Sequence, residues 1–283
     1  MKVRMAEHLG MCFGVRDAID TALGLAKKGS VTILGDLVHN PDVVAQMEAA
    51  GAVRARKPEE VHTKTVLLTA HGTPRSVKQQ LQQGGFEIHD AACPLVTRVH
   101  QAIEKLRLEG RHPVIIGQAG HVEVQGLVGD LDEYTIVLGE EDLQQLAGRP
   151  RLGVVAQTTQ PLTTVLELVA AMRRRFPKAD VRFIDTVCQP TKERQQALRD
   201  LAEECDVVVV VGGPDSNNSR KLTELARQLG RPAYQVAGAG ELRPEWFAGA
   251  RVVGLTAGTS TPDPIILEVR ARLENLDEKA PTS

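Results

Sequence analysis

The sequence is poor in aromatic residues. Phe, Trp and Tyr make up 3% of its 283 residues, with a single Trp, too few for the stacking platforms on which nucleic-acid bases lie. It has no excess of one charge. The formal net charge is −2, so no overall basic surface is available to phosphate backbones. No apolar run approaches the roughly 20 residues needed to span a bilayer. The first residues, MKVRMAEHLG, lack the apolar stretch of a signal peptide. These absences lead to the expectation of a cytoplasmic protein with neither nucleic acid nor membrane as partner. Cysteine is scarce as well. Four widely spaced cysteines in such a chain favour metal or redox roles over disulfides. What is plentiful is core material, with 42% hydrophobic residues.

The material is arranged in a repeat. Cys12, Cys93 and Cys188 each follow a short strand-like run (KVRMAE, FEIHDA and VRFIDT). Each opens a helix-like run: 14–28, 94–110 and 190–205. An apolar strand ending in glycine follows each time: VTILG, PVIIG and VVVVVG. Those glycines, Gly35, Gly117 and Gly212, stand at the same separation from their cysteines to within one residue. Next comes a polar loop opening a second helix (DLVHNPDVV, QAGHVEVQG, GPDSNNSRKL). A third strand follows, around 52–56, in TIVLG and in AYQVAG. A fourth ends in a small-residue loop: VLLTAHGTP, LGVVAQTTQP and VVGLTAGTSTP. Internal periodicity of this kind governs the reading of the whole chain.

Strands alternating with helical runs indicate parallel α/β units. Runs such as VVVVV, apolar without alternation, suit strands covered on both faces. The fold expected is α/β: three small parallel-sheet domains in a pseudo-three-fold, trefoil arrangement around a central cavity. The boundaries fall at 1–92, 93–187 and 188–275, with one of the three cysteines in each and a tail at 276–283. Ligand loops in parallel sheets lie beyond the carboxyl ends of the strands. His39, His71, His121, Thr158, Ser216 and Ser260 all sit in such loops.

Each of the three cysteines lies at or just before a helix start, where free N–H groups and the helix dipole stabilise a thiolate. Three thiolates in equivalent positions suggest a metal site with one open coordination position. The ligand softness fits zinc or an iron–sulfur centre. Zinc sites usually draw on closely spaced cysteine pairs, which are absent here. The competing reading is three small residues buried by coincidence. Cys205, at a helix end, reads as an inert core thiol.

The loop residues His39, His71, His121, Thr158, Ser216, Asn218 and Ser260 are mostly neutral hydrogen-bond donors beside helix starts. That chemistry suits a phosphate or diphosphate. Taken singly, any of them could be a cap or turn residue. Glu123 is the one carboxylate in AGHVEVQG. Desolvated beside an anionic centre, it would have a raised pKa and could deliver a proton near neutrality. Equally, it could be a first-turn glutamate facing the helix dipole. His8, His62, His89, His100 and His112 have no matched partners in the repeats and read as structural or surface residues.

The motifs GMCFGV, VHNPDVV, TAHG, DAACPLVTRVH, AGHVEVQG, QTTQ, SNNS and TAGTSTPD, with the Cys188 segment, are similar to those of the 4-hydroxy-3-methylbut-2-enyl diphosphate reductases. The similarity runs from about residue 3 to 270. It implies an iron–sulfur enzyme of the non-mevalonate isoprenoid pathway that converts the hydroxylated allylic diphosphate to isopentenyl and dimethylallyl diphosphate by two-electron reductive dehydroxylation. It implies that Cys12, Cys93 and Cys188 hold one 4Fe–4S cluster whose open apical iron takes the substrate hydroxyl, and which oxidation converts to a 3Fe–4S form. It assigns the diphosphate to His39, His71, His121, Ser216, Asn217, Asn218 and Ser260, proton supply to Glu123, and orientation of the hydroxyl to Thr158. Gln118 stands where the family often has a histidine, and Asn217 where a second serine is common. The segment QPTKERQ after Cys188 also departs from the pattern.

No G-x-G-x-x-G follows the first strand, so electrons would come from a partner, ferredoxin or flavodoxin. Two other readings compete. One is an enzyme resembling quinolinate synthase, with one cysteine per repeat and no net electron input. The other is a non-catalytic sensor of a phosphorylated metabolite, its cysteines structural or bound to zinc.

Overall fold

The computed structural model describes residues 1–38 and 40–276. Its elements follow the repeat. Strand β1 (Lys2–Met5) precedes Cys12 and helix α1 (Phe13–Ala26). Then come β2 (Val31–Leu34), α2 (Pro41–Ala49), β3 (Ala52–Ala55), β4 (Thr65–Leu68) and α3 (Arg75–Gln83). The second round is β5 (Glu87–Asp90), α4 (Pro94–Leu108), β6 (His112–Ile116), α5 (Val122–Val128), β7 (Thr135–Val137), β8 (Arg151–Ala156) and α6 (Leu162–Arg175). The third is β9 (Asp180–Phe183), α7 (Gln189–Glu204), β10 (Val207–Val211), α8 (Asn217–Gln228), β11 (Ala233–Val236), β12 (Val252–Ala257) and α9 (Asp263–Leu276). Helix α9 takes in the first residue of the expected tail, and 277–283 lie outside the described residues.

The strands form three four-stranded sheets of one topology: β3-β2-β4-β5, β7-β6-β8-β9 and, read from the other edge, β11-β10-β12-β1. Every pairing is parallel. The structure regroups the repeat in one respect. The strand that leads each round closes the sheet of the round before it. β5 pairs with β4, β9 pairs with β8, and β1, expected within 1–92, pairs with β12 through Lys2↔Val252 to Met5↔Leu255. The described residues form two compact units. One unites Met1–Phe13 with the third-sheet residues from Gln189 onward. The other comprises Gly14–Val38 and Val43–Cys188.

The non-alternating apolar strands have a simple cause. In β6, Val114 and Ile116 pack with Val154, Leu168, Val169 and Met172 under α6. Ile115, pointing the other way, packs with Val99 and Leu106 of α4 and Val124 and Leu127 of α5. Side chains alternate between faces, but both faces are roofed by helices, so every position must be apolar. Each such side chain contributes about 1.5–3 kcal/mol by its burial. In β10 the same rule places Val209 and Val211 against Val269 and Leu273 of α9, and Val208 and Val210 against Leu198 and Leu222 of α7 and α8. Cys205 lies in this second layer, 3% exposed. Burial raises its thiol pKa, as befits a core thiol with no redox task.

Candidate active site

The three cysteines occupy one structural position. Each immediately precedes its helix: Cys12 before Phe13, Cys93 before Pro94, Cys188 before Gln189. Each backbone N–H donates to the carbonyl of the second residue beyond the fourth strand of a round, β12, β4 or β8. Cys12 N–H reaches Thr259 O at 3.0 Å, Cys93 N–H reaches Ala70 O at 3.0 Å, and Cys188 N–H reaches Thr158 O at 3.0 Å. The loop after an interior strand thus sets the cysteine backbone, and the helix start leaves N–H groups beside the sulfur. All three side chains are half-buried. Cys12 belongs to one compact unit, Cys93 and Cys188 to the other. Among the described residues, no three His, Cys, Asp or Glu side chains form a ready metal-binding group.

Two features that the motifs did not announce support the cysteine segments. A Cβ added to Gly14 would lie 2.6 Å from Cys93 Sγ, so α1 approaches that sulfur as closely as glycine permits. Arg194, 6% exposed in α7, donates to Pro190 O at 2.9 Å and to Gly10 O at 2.5 Å. Its guanidinium therefore ties the helix start after Cys188 to the turn before Cys12. The third-round segment that departs from the family pattern supplies this clamp. The donor set fits a soft metal centre: three half-buried thiols at helix starts, one of them beside a side-chain-free gap.

Glu123 and Thr158 form the chemical focus of the larger unit. Glu123, in the first turn of α5, is 2% exposed. The Thr158 N–H donates to its Oε1 at 2.7 Å and the Thr158 hydroxyl to its Oε2 at 2.8 Å. Burial raises the carboxyl pKa to about 7, against the pull of these two hydrogen bonds. Thr158 O is the acceptor for Cys188 N–H, so carboxylate, hydroxyl and cysteine backbone are linked in series. Glu123 is both a first-turn residue and one whose carboxylate is held by Thr158.

His121 caps α5. Its Nδ1 accepts from the Glu123 N–H at 3.1 Å, so in the neutral ring Nε2 carries the proton and is a donor. His71 has the opposite arrangement. Its Nδ1 donates to Asp36 O at 3.1 Å, so Nε2 donates only when the ring is protonated. The two rings meet edge to face with centroids 5.8 Å apart. Their separation is fixed by backbone. A Cβ at Gly126 would lie 2.8 Å from Gly72 O, and one at Gly129 would lie 2.5 Å from Pro74 Cγ. Asp130 then accepts from the Arg75 N–H at 2.5 Å, the Ser76 N–H at 3.0 Å and the Ser76 hydroxyl at 2.7 Å. It caps α3 from another round, because Pro74 at the N-cap cannot. Gln118 N–H donates to Gln157 Oε1 at 3.1 Å.

Ser216, Asn217, Asn218 and Ser260 belong to the other unit, and all are buried. Ser216 caps α8. Asn217 Oδ1 accepts from Arg220 at 3.3 Å. Asn218 Nδ2 is buried with no hydrogen-bond partner among the described residues. His39 lies outside the described residues. Of the histidines without counterparts in the repeat, His112 Nε2 meets Thr135 Oγ1 at 2.8 Å and His89 lies 3.1 Å from Glu87.

The profile of the LytB protein family matches residues 3–274. The chain belongs to that family. It is 42% identical over 280 residues to the 4-hydroxy-3-methylbut-2-enyl diphosphate reductase of Methylibium petroleiphilum, covering 97% of this chain and 85% of that one. Among solved structures it resembles (E)-4-hydroxy-3-methyl-but-2-enyl diphosphate reductase, described as the terminal enzyme of the non-mevalonate pathway. That likeness has a TM-score of 0.69 at 36% identity over 97% of this chain and 100% of the other. The E-1-hydroxy-2-methyl-but-2-enyl-4-diphosphate reductase of Plasmodium falciparum superposes with a TM-score of 0.90 at 25% identity, over 99% of this chain and 89% of that one. Membership in this LytB family supports the reductase reading over the quinolinate-synthase-like and sensor readings. Among the described residues no helix is long and apolar enough to cross a membrane.

Proposed function

We propose that the chain is a 4-hydroxy-3-methylbut-2-enyl diphosphate reductase acting at the terminal step of the non-mevalonate pathway. Two electrons and two protons replace the substrate's C–OH by C–H and release water, giving isopentenyl and dimethylallyl diphosphate. Cys12, Cys93 and Cys188, one from each of the sequence repeats 1–92, 93–187 and 188–275, would hold a 4Fe–4S cluster. When bound, that cluster would supply the electrons and a Lewis-acidic iron for the hydroxyl oxygen. Ferredoxin or flavodoxin would deliver the electrons, in the cytoplasm.

The observation that carries the reading is the Glu123–Thr158 pair. A carboxyl held near pKa 7 is equally ready to hold and to release a proton at neutrality. While Glu123 is ionised, the Thr158 hydroxyl donates to Oε2. Once Oε2 is protonated it can donate to Thr158 Oγ1, and the Thr158 proton turns toward the substrate hydroxyl. The departing hydroxide takes that proton, and a second one goes to an allyl carbon. His39, His71, His121, Ser216, Asn217, Asn218 and Ser260 would hold the diphosphate through N–H and O–H donors. Asn217, replacing a serine, still offers an amide N–H.

The test is turnover of the allylic diphosphate by anaerobically purified protein with a chemical reductant. Wild type should form both products only when reductant is present. Reductant-independent turnover, or protein carrying zinc and no iron, would overturn the assignment.

A further inference from the structure

We propose that Ser219 is a positioning residue that fixes the direction of the Ser216 hydroxyl, so that the start of α8 offers its ligand only donors. The proposal deepens the diphosphate reading and rests on it. It also defines the ligand atom: an oxygen that only accepts, as in an ionised phosphate.

The argument follows the protons. Ser219 is wholly buried, 0% exposed. Its side chain has one hydrogen-bond partner among the described residues, Ser216 Oγ at 2.9 Å. The Ser219 backbone N–H also donates to Ser216 Oγ, at 3.3 Å. A hydroxyl has two acceptor sites and one proton. With both acceptor sites taken by Ser219, the Ser216 proton is left to donate outward. In the reverse arrangement Ser216 would donate to Ser219, and the Ser219 proton would be stranded in a dry site with no acceptor. Only the order Ser219 to Ser216 to ligand satisfies every group, and it needs an acceptor at its end.

The slot for Ser219 is built for a hydroxyl and nothing larger. A Cβ at Gly212, after β10, would lie 2.0 Å from Ser219 Oγ, and one at Gly258, after β12, would lie 2.1 Å from it. Two strand ends thus press on one oxygen. A Cβ at Gly258 would also lie 3.5 Å from Ser216 Oγ, which brings the TAGTS loop against the same group. An independent observation points the same way. Asn218 Nδ2, one residue away, is a buried donor without a partner, on a side chain 4% exposed. Two donors with nothing to donate to, side by side at a helix start, call for an acceptor-only ligand.

The test is calorimetric titration of the cluster-loaded enzyme with inorganic diphosphate, together with KM and kcat for the allylic diphosphate. Ser219→Ala should weaken diphosphate binding about three- to tenfold, raise KM by the same factor and leave kcat within about twofold. Ser219→Gly, which also removes the hydroxyl without overfilling the slot, should show the same loss of binding. Because Ser219 acts only through Ser216, the double variant with Ser216→Ala should bind no more weakly than Ser216→Ala alone. Additive losses, or unchanged binding in both Ser219 variants while Ser216→Ala weakens it, overturn the positioning role and leave the diphosphate reading intact. Unchanged binding in Ser216→Ala overturns the diphosphate reading itself.

Discussion

Thr158 holds both oxygens of Glu123, its amide at 2.7 Å from Oε1 and its hydroxyl at 2.8 Å from Oε2. The carboxylate therefore has little freedom to rotate, and its proton has one hydroxyl to pass to.

Replacing Glu123 by Gln keeps the shape and removes the acid. Turnover should fall by about 10² or more, while the allylic diphosphate binds as before. In the wild type, burial holds the pKa at about 7, so kcat should decline as pH rises past about 7 and the donor ionises. Undiminished turnover in Glu123→Gln would remove the residue from its role.

The same shift has a stability counterpart. The folded pKa of about 7 exceeds the reference of 4.5, so between those values the folded chain binds more protons than the unfolded one. Stability must then fall as pH rises through that window. Denaturant unfolding at pH 5 and pH 8 should show the loss in wild type and a smaller one in Glu123→Gln.

Gly14→Ala should remove metal without removing fold. Alanine is favoured over glycine within a helix by about 1 kcal/mol, yet its Cβ would stand 2.6 Å from Cys93 Sγ. Iron per chain after anaerobic purification should drop severalfold, with an unchanged or higher melting temperature. Full iron content would show that the sulfur has room to move aside.

Arg194→Met should loosen two cysteine segments at once. It deletes charge-assisted hydrogen bonds to Gly10 O and Pro190 O, each worth about 1.5–3 kcal/mol. Both a lower melting temperature and poor iron retention are expected. Retained iron in a destabilised variant would confine Arg194 to holding the fold.

Asp130→Ala should cost about 1 kcal/mol, the usual worth of a helix cap, reduced by its exposure to solvent. Burial alone would raise the carboxyl pKa, but the bonds from Ser76 and Arg75 outweigh it and hold the group below its ordinary value. The contribution is present above the reference value of 3.8 and is lost as pH falls through the folded value. Comparing the unfolding of variant and wild type at pH 7 and pH 3 checks both points.

The sequence announced whatever repeats. The strand–cysteine–helix phase located the twelve strands of the described residues and the three helix starts after the cysteines, because apolar runs and glycine stops act locally. The placement of the tip residues was legible for a similar reason: Thr158 and Ser216 lie in, and Glu123 just after, loops that three rounds place alike. What stayed hidden is set by partners distant in the chain. No local pattern marks Asp130 as the cap of α3, Arg194 as a tie to Gly10, or Gly14 as a gap for Cys93. Each role exists only once another round has packed against it. The pairing of β1 with β12 was missed for that reason as well, since a strand's own residues do not say which sheet it joins.

The register of Lys2–Met5 on Val252–Leu255 bears on how the molecule is made. Strand β1 has no neighbour in its sheet until β12, the last strand among the described residues, is in place. Until then one sheet is short of its edge, and the turn bearing Cys12 has no Thr259 carbonyl to rest on. Loop closure over such a separation is slow and entropically costly. Pairing of β1 with β12 should therefore be the late, rate-limiting closure of this sheet, and substitutions that weaken it should slow refolding.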